Sequence, residues 1–505
     1  MIGCVDLEED PTIALLSPGE YNDLTEMELA VTGMYRKFGM VLTTFYVAGW
    51  AGDDMTTHRA SNKHDFREFD QRFVSNSNSR AAGVWQTAYS GIRSANNVIF
   101  NSQNLQVTDQ VGKDRLLGEA YFWRGLMYHH LTRVFGKLPL QLDPVPDTEI
   151  GLSEIQVVYG QIEADLLEAE RLLPAIYPGV MPGAPRPNSG TARAFLARLY
   201  LDWAGWPLKD ASKYDMAAAS AKQVIDNHTS HGFDLMDNLK DLWTIEHRFN
   251  QESIFTLAFC ADICGIINRK TVRVGFPADL NGWSETFAEI KFFEDFPPGP
   301  RKEATYITDP TIQDPTDSDF DPNGPTISWT AFTDQQQPIF AKITGFGDVE
   351  RTNSRNNRND YLMRYAELLL IYAEASGRSG NPNSDAWEAL NKIKRRAAGL
   401  PFDTPDASVD VTSGDLAELA YTERKWELAG EYLRWFDLTR MERVAEALNN
   451  DYRNSSTSLG TNPDNVENFG KPIIEPNQIT GSTGTDNYFA PIPLSEIEIN
   501  PNLAN

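Results

Sequence analysis

Helical periodicity recurs along this chain in neighbouring stretches, and it constrains the fold more than any other feature. In each stretch apolar residues return every three to four positions, which is the spacing of one helical face. The paired stretches are 118–136 with 157–174, 190–207 with 214–228, and 364–377 with 385–401. A helix with one apolar face needs a second helix to cover it, so the pairs predict helical hairpins of the tetratricopeptide kind.

The stretch 364–377, RYAELLLIYAEASG, is richer in alanine and tyrosine than a core helix requires. Ala366 and Ala373 lie seven residues apart on one predicted face, together with Leu369. Small side chains in that position allow a neighbouring backbone to come close. We therefore expect another helix to pack tightly against this face.

The stretch 421–440 predicts one further helix, because Trp426, Ala429, Leu433 and Phe436 follow each other at three to four residues. Charged residues are interleaved with them. They are Glu423, Arg424, Glu427, Glu431 and Arg434. Charges at helical spacing are typical of a solvated or salt-bridged face, and we interpret them so in preference to a catalytic group.

Composition excludes several classes of function. The chain has 505 residues and a formal net charge of −26, which would repel the phosphates of a nucleic acid. No apolar run approaches the ~20 residues of a spanning helix. Between the helical segments, roughly from 231 to 360, the chain is rich in Gly, Pro, Asn and Asp, which predicts irregular structure.

Motifs for common catalytic and cofactor chemistry are absent from the sequence. It contains no GxGxxG, Walker loop, HExxH, GxSxG or CxxC, so we predict no enzyme, no cofactor and no bound metal. Adjacent acids such as Asp53 and Asp54 are expected by chance at this acidity, although a glycosidase remains an alternative. Cys260 and Cys264 are four residues apart, and we predict two small buried apolar side chains in preference to a disulfide or metal site.

The acidic loop DSDFDPNGP, residues 317–325, partly matches a calcium-binding loop through Asp319, Asp321, Asn323 and Gly324. The closing acidic ligand is missing, because Thr330 occupies its place. We therefore predict a solvated loop there, with calcium as the alternative.

Four stretches resemble signatures of the SusD/RagB family of outer-membrane glycan-binding lipoproteins from Bacteroidetes. They are GEAYFWRGLMYHHLTRVFGKLPL (118–140), LMRYAELLLIYAEA (362–375), ERKWELAGEYLRWFDLTR (423–440) and YFAPIPLSEIEINPNL (488–503). Weaker similarities are VWQTAYSGIRSANNVI, QESIFTLAF and the beginning MIGC, which is similar to the end of a lipoprotein signal. Together these stretches run from residue 4 to residue 503 in the order of the family.

The resemblance implies a mainly α fold, with a tetratricopeptide-like hairpin scaffold and a loop-rich, irregular part that binds ligand. It also implies a lipid anchor on Cys4, a position on the cell surface at the outer membrane, and a SusC-like TonB-dependent transporter as partner. We expect residues 1–16 to form the tether and 17–505 a single domain. Its scaffold would comprise about 17–230 and 361–450, and its loop-rich region about 231–360 and 451–505.

Aromatic residues in loops are the candidates for sugar binding, since a sugar ring stacks its C–H face on indole while polar side chains bind its hydroxyls. Three loops carry such residues, and nothing in the sequence ranks one above another. The predicted glycan-binding residues are Trp50, Asp53 and His58 in the first loop, Asn281 and Trp283 in the second, and Trp329 in the third.

The leading hypothesis is therefore a surface protein that captures a glycan and delivers it to the transporter without cleaving it. Because the chain is strongly acidic, a neutral glucan similar to laminarin is favoured. The alternatives are an anionic polysaccharide such as alginate, or a helical-repeat adaptor that binds a partner protein.

Overall fold

The computed structural model of the chain describes residues 21–39, 46–58, 61–177, 183, 185–260, 265–268, 274–313, 319, 321, 323–333, 335–346, 356–457 and 477–504. Most regular structure in these residues is helical. The α-helices are α1 Leu24–Gly39, α2 His64–Asp70, α3 Ser79–Asn101, α4 Gln110–Phe135, α5 Ile155–Leu172, α6 Ser189–Ala204, α7 Lys213–Asp226, α8 His228–His231, α9 Ile290–Asp295, α10 Pro300–Thr305, α11 Ala341–Thr344, α12 Tyr365–Arg378, α13 Ser384–Ala397, α14 Leu416–Glu427, α15 Arg434–Arg440, α16 Val444–Ala447, α17 Asn450–Asn454 and α18 Leu494–Ile499.

Strands in the described residues are short and form three antiparallel pairs. They are β1 Met55–Thr56, β2 Ser253–Leu257, β3 Phe287–Ala288, β4 Tyr306–Ile307, β5 Ile339–Phe340 and β6 Asp360–Arg364. β1 pairs with β3, β2 with β6, and β4 with β5. In the longest pair Leu257 lies opposite Asp360 and Ser253 opposite Arg364.

The long helices pack in series, which confirms the predicted mainly α class with its hairpin scaffold. From α3 to α7 each helix packs against the next one, and α12 packs against α7, α13 and α14. The two helical segments of the sequence therefore meet through α7 and α12. Local signals set the helix ends: the Asn78 side chain accepts hydrogen bonds from the first turn of α3, and Gly136, at φ +78°, ends α4.

The close packing of helix α12 explains why this helix is rich in alanine. Ala366 and Ala373 are completely buried, as the sequence predicted for a face covered by another helix. At Gly377 the backbone of α14 comes so close that an added Cβ would lie 2.6 Å from the backbone nitrogen of Ala417. Small residues therefore let helices on both sides approach α12.

The prediction of one continuous helix over 421–440 is wrong, because the chain breaks between α14 and α15. Gly430 has φ +77° and Tyr432 has φ +61°, values that a right-handed helix cannot contain. At Gly430 an added Cβ would lie 2.5 Å from the Phe340 ring. The backbone N–H of Gly430 donates to the Asp54 carboxylate at 2.8 Å. Phe340 and Asp54 therefore both pack against the break. These are tertiary contacts, which helical periodicity does not reveal.

The charged residues of this segment form a buried ion network and not a solvated face. Glu427 is 1% exposed and contacts three guanidinium groups, at 2.9 Å from Arg396 and 3.3 Å from Arg364 and Arg301. Glu431 pairs with Arg364 at 2.7 Å. Burial acts to raise the pKa of Glu427, but the three arginines outweigh it and hold that pKa at about 2. The salt bridges were predicted, whereas their burial was not.

Three apolar clusters organise the interior of the described residues, and two of them bear on the candidate site. The larger one extends from Tyr21 to Leu503 and includes the buried faces of the long helices. The smaller one lies under the loops of the middle region. Its buried members are Phe276, Leu280, Ile290, Trp329, Phe332 and Ile339.

Cys260 is disulfide-bonded, so the prediction of two small apolar cysteines is wrong. Its backbone exchanges two hydrogen bonds with Ile266, of 2.8 and 3.1 Å, as in an isolated antiparallel bridge. The other two cysteines of the sequence, Cys4 and Cys264, lie outside the described residues. Among the helices that the structure describes, none combines the length and the apolar character that crossing a membrane requires.

Candidate functional site

The three tryptophan loops proposed from the sequence meet in one part of the molecule. β1 follows the turn that carries Trp50, and it pairs with β3, which follows the turn that carries Trp283. Trp329 belongs to the apolar cluster that supports the second of these turns. The loops are therefore neighbours in space, although they are distant in the sequence.

Trp50 lies in the core and does not offer a ring face to a ligand. Its indole is 1% exposed, with its ring centre 4.5 Å from that of Phe66 and 5.3 Å from that of Tyr432. The indole N–H donates to the carbonyl oxygen of Glu285 at 3.2 Å. The expected stacking role of Trp50 is wrong, since this residue anchors the segment after Trp283 to the first loop.

Asp53 and His58 are also enclosed, so neither can bind a sugar hydroxyl from solvent as predicted. Asp53 is 3% exposed and forms an ion pair with Arg434 at 2.7 Å, and His58 is 1% exposed. The neighbouring Asp54 is completely buried, and its carboxylate accepts the N–H of Gly430. These acids brace the first loop against the break between α14 and α15.

Trp329 is buried as well, at 7% exposure, and its expected contact with glycan is wrong. Its ring centre lies 6.0 Å from that of Phe293, and its backbone N–H donates to the carbonyl oxygen of Thr308 at 2.9 Å. The residue supports the site from below, because it packs in the same cluster as Phe276 and Leu280 at the base of the Trp283 turn.

Trp283, in contrast, is 45% exposed and lies at the end of a tightly bonded turn, which we call the Trp283 turn (residues 276–284). Ser284 N–H donates to the carbonyl of Phe276, and Gly282 N–H donates to that of Pro277, both at 3.0 Å. The Ser284 hydroxyl in turn accepts the N–H of Ala278 at 2.9 Å. An exposed indole is therefore carried on a backbone that is already ordered.

Backbone conformation in the Trp283 turn explains its sequence. Asn281 and Ser284 have φ values of +61° and +53°, in the left-handed region, where asparagine is favoured among residues other than glycine. At Gly282 an added Cβ would lie 2.0 Å from the carbonyl oxygen of Phe276, so only glycine can occupy this position. Asn281 is exposed, as a polar contact with a ligand requires.

A carboxylate supports the turn from the adjoining loop, and the sequence had not suggested it. Asp279 accepts hydrogen bonds from the backbone N–H and the hydroxyl of Thr333, at 2.7 and 2.6 Å. These two hydrogen bonds join the Trp283 turn to the segment that follows Trp329. Aspartate in a short loop is so common that no signal in the sequence could have identified this contact.

Two buried carboxylates below the turn have unusual protonation. Burial raises the pKa of Asp54 to about 7, and burial likewise raises the pKa of Glu289 to about 7. Glu289 is 1% exposed, and no hydrogen bond from the described residues reaches either of its carboxylate oxygens. Its nearest cation is Arg453, at 3.8 Å. Because both groups are enclosed, they do not provide an acid and a base on either side of a cleft.

Metal ligands are few in the part of the chain that the structure describes. One group of three, His64, Asp65 and Glu68, has its potential ligand atoms close together. Glu68 there already accepts hydrogen bonds from Ser75 and Asn78, which tie α2 to α3. In the loop considered for calcium, Asp321 accepts the N–H of Asn323 at 2.9 Å, as in an ordinary turn. Residues 317, 318, 320 and 322 of that loop lie outside the described residues.

Comparison with known families gives two matches that together span both helical segments. The model described as "SusD family" matches residues 305–505, and the model described as "Starch-binding associating with outer membrane" matches residues 24–201. A SusD-like protein of Formosa agariphila, named P2, is 27% identical, and the match covers 100% of this chain and 96% of that protein.

Solved structures show the same fold. A SusD homologue from Bacteroides thetaiotaomicron has a TM-score of 0.78 at 21% identity, and the match covers 96% of this chain and 97% of that one. A protein described as a laminarin-binding SusD-like protein has a TM-score of 0.70 at 23% identity, with coverages of 95% and 98%. The similarity therefore extends over nearly the whole chain.

Proposed function

Because this chain belongs to the SusD/RagB family, we propose that it captures an oligosaccharide or polysaccharide at the cell surface and delivers it to a SusC-like TonB-dependent transporter. Related SusD-like proteins bind carbohydrate, and one of the structural neighbours is described as laminarin-binding. In this proposal the chain binds its glycan without cleaving it.

The observation that carries the proposal is the exposed indole of Trp283 on an ordered turn. A stacked ring contributes about 1 kcal/mol beyond the area that it buries, so a platform of this kind gives weak binding. Since the turn is held by its own hydrogen bonds, little conformational entropy is lost when a ligand binds. Asn281 supplies amide groups for sugar hydroxyls next to the ring.

We propose a neutral glucan of the laminarin type as the ligand. The net charge of −26 disfavours polyuronates, and Asp279 adds a carboxylate to the turn itself. The anionic alternative, alginate, would require local cations that outweigh both. A helical-repeat adaptor remains the second alternative, and it would use the scaffold and not Trp283.

We further propose that residues 1–16 form a tether and that Cys4 carries a lipid anchor at the outer membrane, with 17–505 as one domain. Support comes from the lipoprotein-like beginning of the sequence and from the family description as outer-membrane associated. Residues 1–20 lie outside the described residues. Metabolic labelling of whole cells with a fatty-acid analogue would test the anchor, and Cys4→Ala is expected to abolish labelling.

A binding function agrees with the state of three carboxylates that lie below the Trp283 turn. Asp53 is neutralised by Arg434, and both Asp54 and Glu289 are buried. None of the three can approach a glycosidic bond on the surface. Incubation with laminarin should therefore release no reducing ends, and release at an enzymatic rate would favour the glycosidase alternative.

Native affinity electrophoresis tests the proposal. We expect laminarin, and neutral glucans in general, to retard the purified protein more than alginate does. Trp283→Ala should abolish the retardation. Phe100→Ala is the matched control, because Phe100 is an aromatic residue of similar exposure, 54%, at the end of α3.

Equal retardation of wild type and Trp283→Ala would refute the assignment of the site. If no polysaccharide retards the wild type, while a protein partner is retained on a column, the adaptor alternative is correct.

A further inference from the structure

A cavity of about 310 Å³ lies away from the Trp283 turn. Its walls are one side of α3, the segment 139–150, and the C-terminal residues 496–503. The cavity has the size of a small ligand site. Neither the stacking surface proposed above nor any of the candidate site residues belongs to it.

The floor of the cavity is apolar, and an apolar residue is left exposed at its mouth. Trp85, Ile92 and Leu503 are buried, whereas Ile499 lines the cavity at 69% exposure. Val145 belongs to the same wall segment and is 78% exposed. Large apolar side chains exposed beside a cavity are typical of a surface that another molecule covers.

The amide side chains of the walls are used within the walls. Asn96 donates to the carbonyls of Gln141 and Asp143 at 3.0 and 3.1 Å and accepts from Arg124. Gln141 accepts the N–H of Asp147 at 3.0 Å, and Asn500 donates to the carbonyl of Ile150 at 2.8 Å. A sugar would need such amides for its hydroxyls, so the cavity selects an apolar group instead.

These same bonds hold the cavity open. In addition, the Tyr89 hydroxyl donates to the carbonyl of Pro139 at 2.9 Å, and the Asn502 amide donates to that of Glu149 at 2.7 Å. The segment 139–150 is thereby fixed to both α3 and the C-terminal residues. A ligand can enter a site that is already formed, which lowers the entropy lost on binding.

The rim of the cavity is acidic. Asp143, Asp147 and Glu496 line it, against the single cation Arg93 among its described lining residues. Asp143 and Asp147 are exposed, so their field reaches solvent. An occupant with basic residues next to its apolar anchor would be attracted, and an acidic one would be repelled.

We propose that this cavity docks a segment of a partner protein that inserts one aromatic or branched aliphatic side chain, flanked by lysine or arginine. The apolar floor selects the anchor, and the acidic rim selects the flanking charges. The chain would then have two separate recognition surfaces, one for glycan and one for a basic peptide.

Fluorescence anisotropy with short labelled peptides and the full chain tests this proposal. The probes are lysine-rich peptides with a central phenylalanine, the same peptides with a central serine, and glutamate-rich peptides with phenylalanine. The lysine-rich peptides with phenylalanine should bind about tenfold more tightly than either of the other two sets, and added salt should weaken their binding.

Two variants of the cavity test the same proposal with the lysine-rich phenylalanine peptides. Thr148→Trp, at an exposed lining residue, should fill the cavity and reduce the affinity about tenfold. Asp143→Lys should reduce it severalfold.

Val111→Asp is the matched control for altering an exposed surface position, because Val111 is 78% exposed at the start of α4 and should not affect peptide binding. Equal affinities for the phenylalanine and serine peptides, or no loss of affinity in Thr148→Trp, would overturn the proposal. Displacement of the peptide by laminarin oligosaccharide would also overturn it, as the cavity would then be a glycan site. Glycan retardation should be unchanged in Thr148→Trp, so this test is independent of the one on Trp283.

Discussion

Two buried glutamates in different regions of the molecule have the same exposure and opposite shifts of pKa. Glu427, in the helical frame, is 1% exposed and contacts three arginines, and its pKa is held at about 2. Glu289, below the Trp283 turn, is also 1% exposed, but burial raises its pKa to about 7, and among the described residues its one ion-pair partner is Arg453 at 3.8 Å. Charge partners, and not burial alone, decide the state of a buried acid.

The difference matches the roles of the two regions. In the frame, buried ion pairs join the two helical segments, as where Arg198 of α6 pairs with Glu367 of α12. In the loop region, carboxylates without full hydrogen bonding are kept at an energetic cost. Regions that break local rules in this way are frequently those that carry function.

Removal of the charge on Glu427 should have the largest effect on stability. In Glu427→Gln the guanidinium groups of Arg364 and Arg396 lose a shared carboxylate in the core, which should lower the free energy of unfolding by about 4 kcal/mol. Urea denaturation would measure it, with Glu446→Gln as an exposed control within about 0.5 kcal/mol of wild type. A small effect for Glu427→Gln would show that the frame does not depend on its ion network.

Truncation of Trp50 should rank next. Because its indole fills the space between Phe66 and Tyr432, Trp50→Ala should lower the free energy of unfolding by about 3 kcal/mol. Trp50→Phe, which keeps most of the apolar volume, should retain glycan binding in the affinity gel. Loss of binding in a folded Trp50→Phe protein would return Trp50 to the list of ligand contacts.

Glu289→Gln should stabilise the protein, and only at neutral to alkaline pH. A carboxyl group whose pKa rises on folding destabilises the fold as pH increases from about 4.5 to about 7, and the effect is constant above that range. The variant should therefore exceed wild type by about 3 kcal/mol near pH 8, and the difference should vanish near pH 4. Glu427→Gln should show the opposite sign. Equal pH dependence of Glu289→Gln and wild type would contradict the raised pKa.

Trp283→Ala should have the smallest effect on stability, within about 0.5 kcal/mol, because the indole is half exposed and the turn is held by backbone bonds. Thermal unfolding would measure it. A loss comparable to that of Trp50→Ala would mean that Trp283 is a packing residue.

Sequence periodicity predicted the frame well. The stretches that became α4 to α7, α12 and α13 have apolar residues at helical spacing, and the buried alanines of α12 followed from the same pattern. The break before α15 could not be predicted, because it depends on the approach of Phe340 to Gly430 and on the bond from Gly430 to Asp54. Both contacts join residues that are far apart in sequence.

The candidate site was predicted only in part for a related reason. Loop composition selected three loops that meet in space, but it does not distinguish an indole that faces solvent from one that its own loop buries. Trp50 and Trp329 are in the second class and Trp283 in the first. A glycine directly before the indole does not separate the two classes, because Gly49 precedes the buried Trp50 just as Gly282 precedes the exposed Trp283.

Isothermal titration calorimetry with Trp283→Ala, Phe100→Ala and wild type tests the central claim most directly, with oligosaccharides of the glucan that retards the wild type most strongly. The claim predicts that Trp283→Ala loses binding by about tenfold or more while its thermal midpoint is unchanged, and that Phe100→Ala binds as wild type does. Equal affinity of Trp283→Ala and wild type would contradict it.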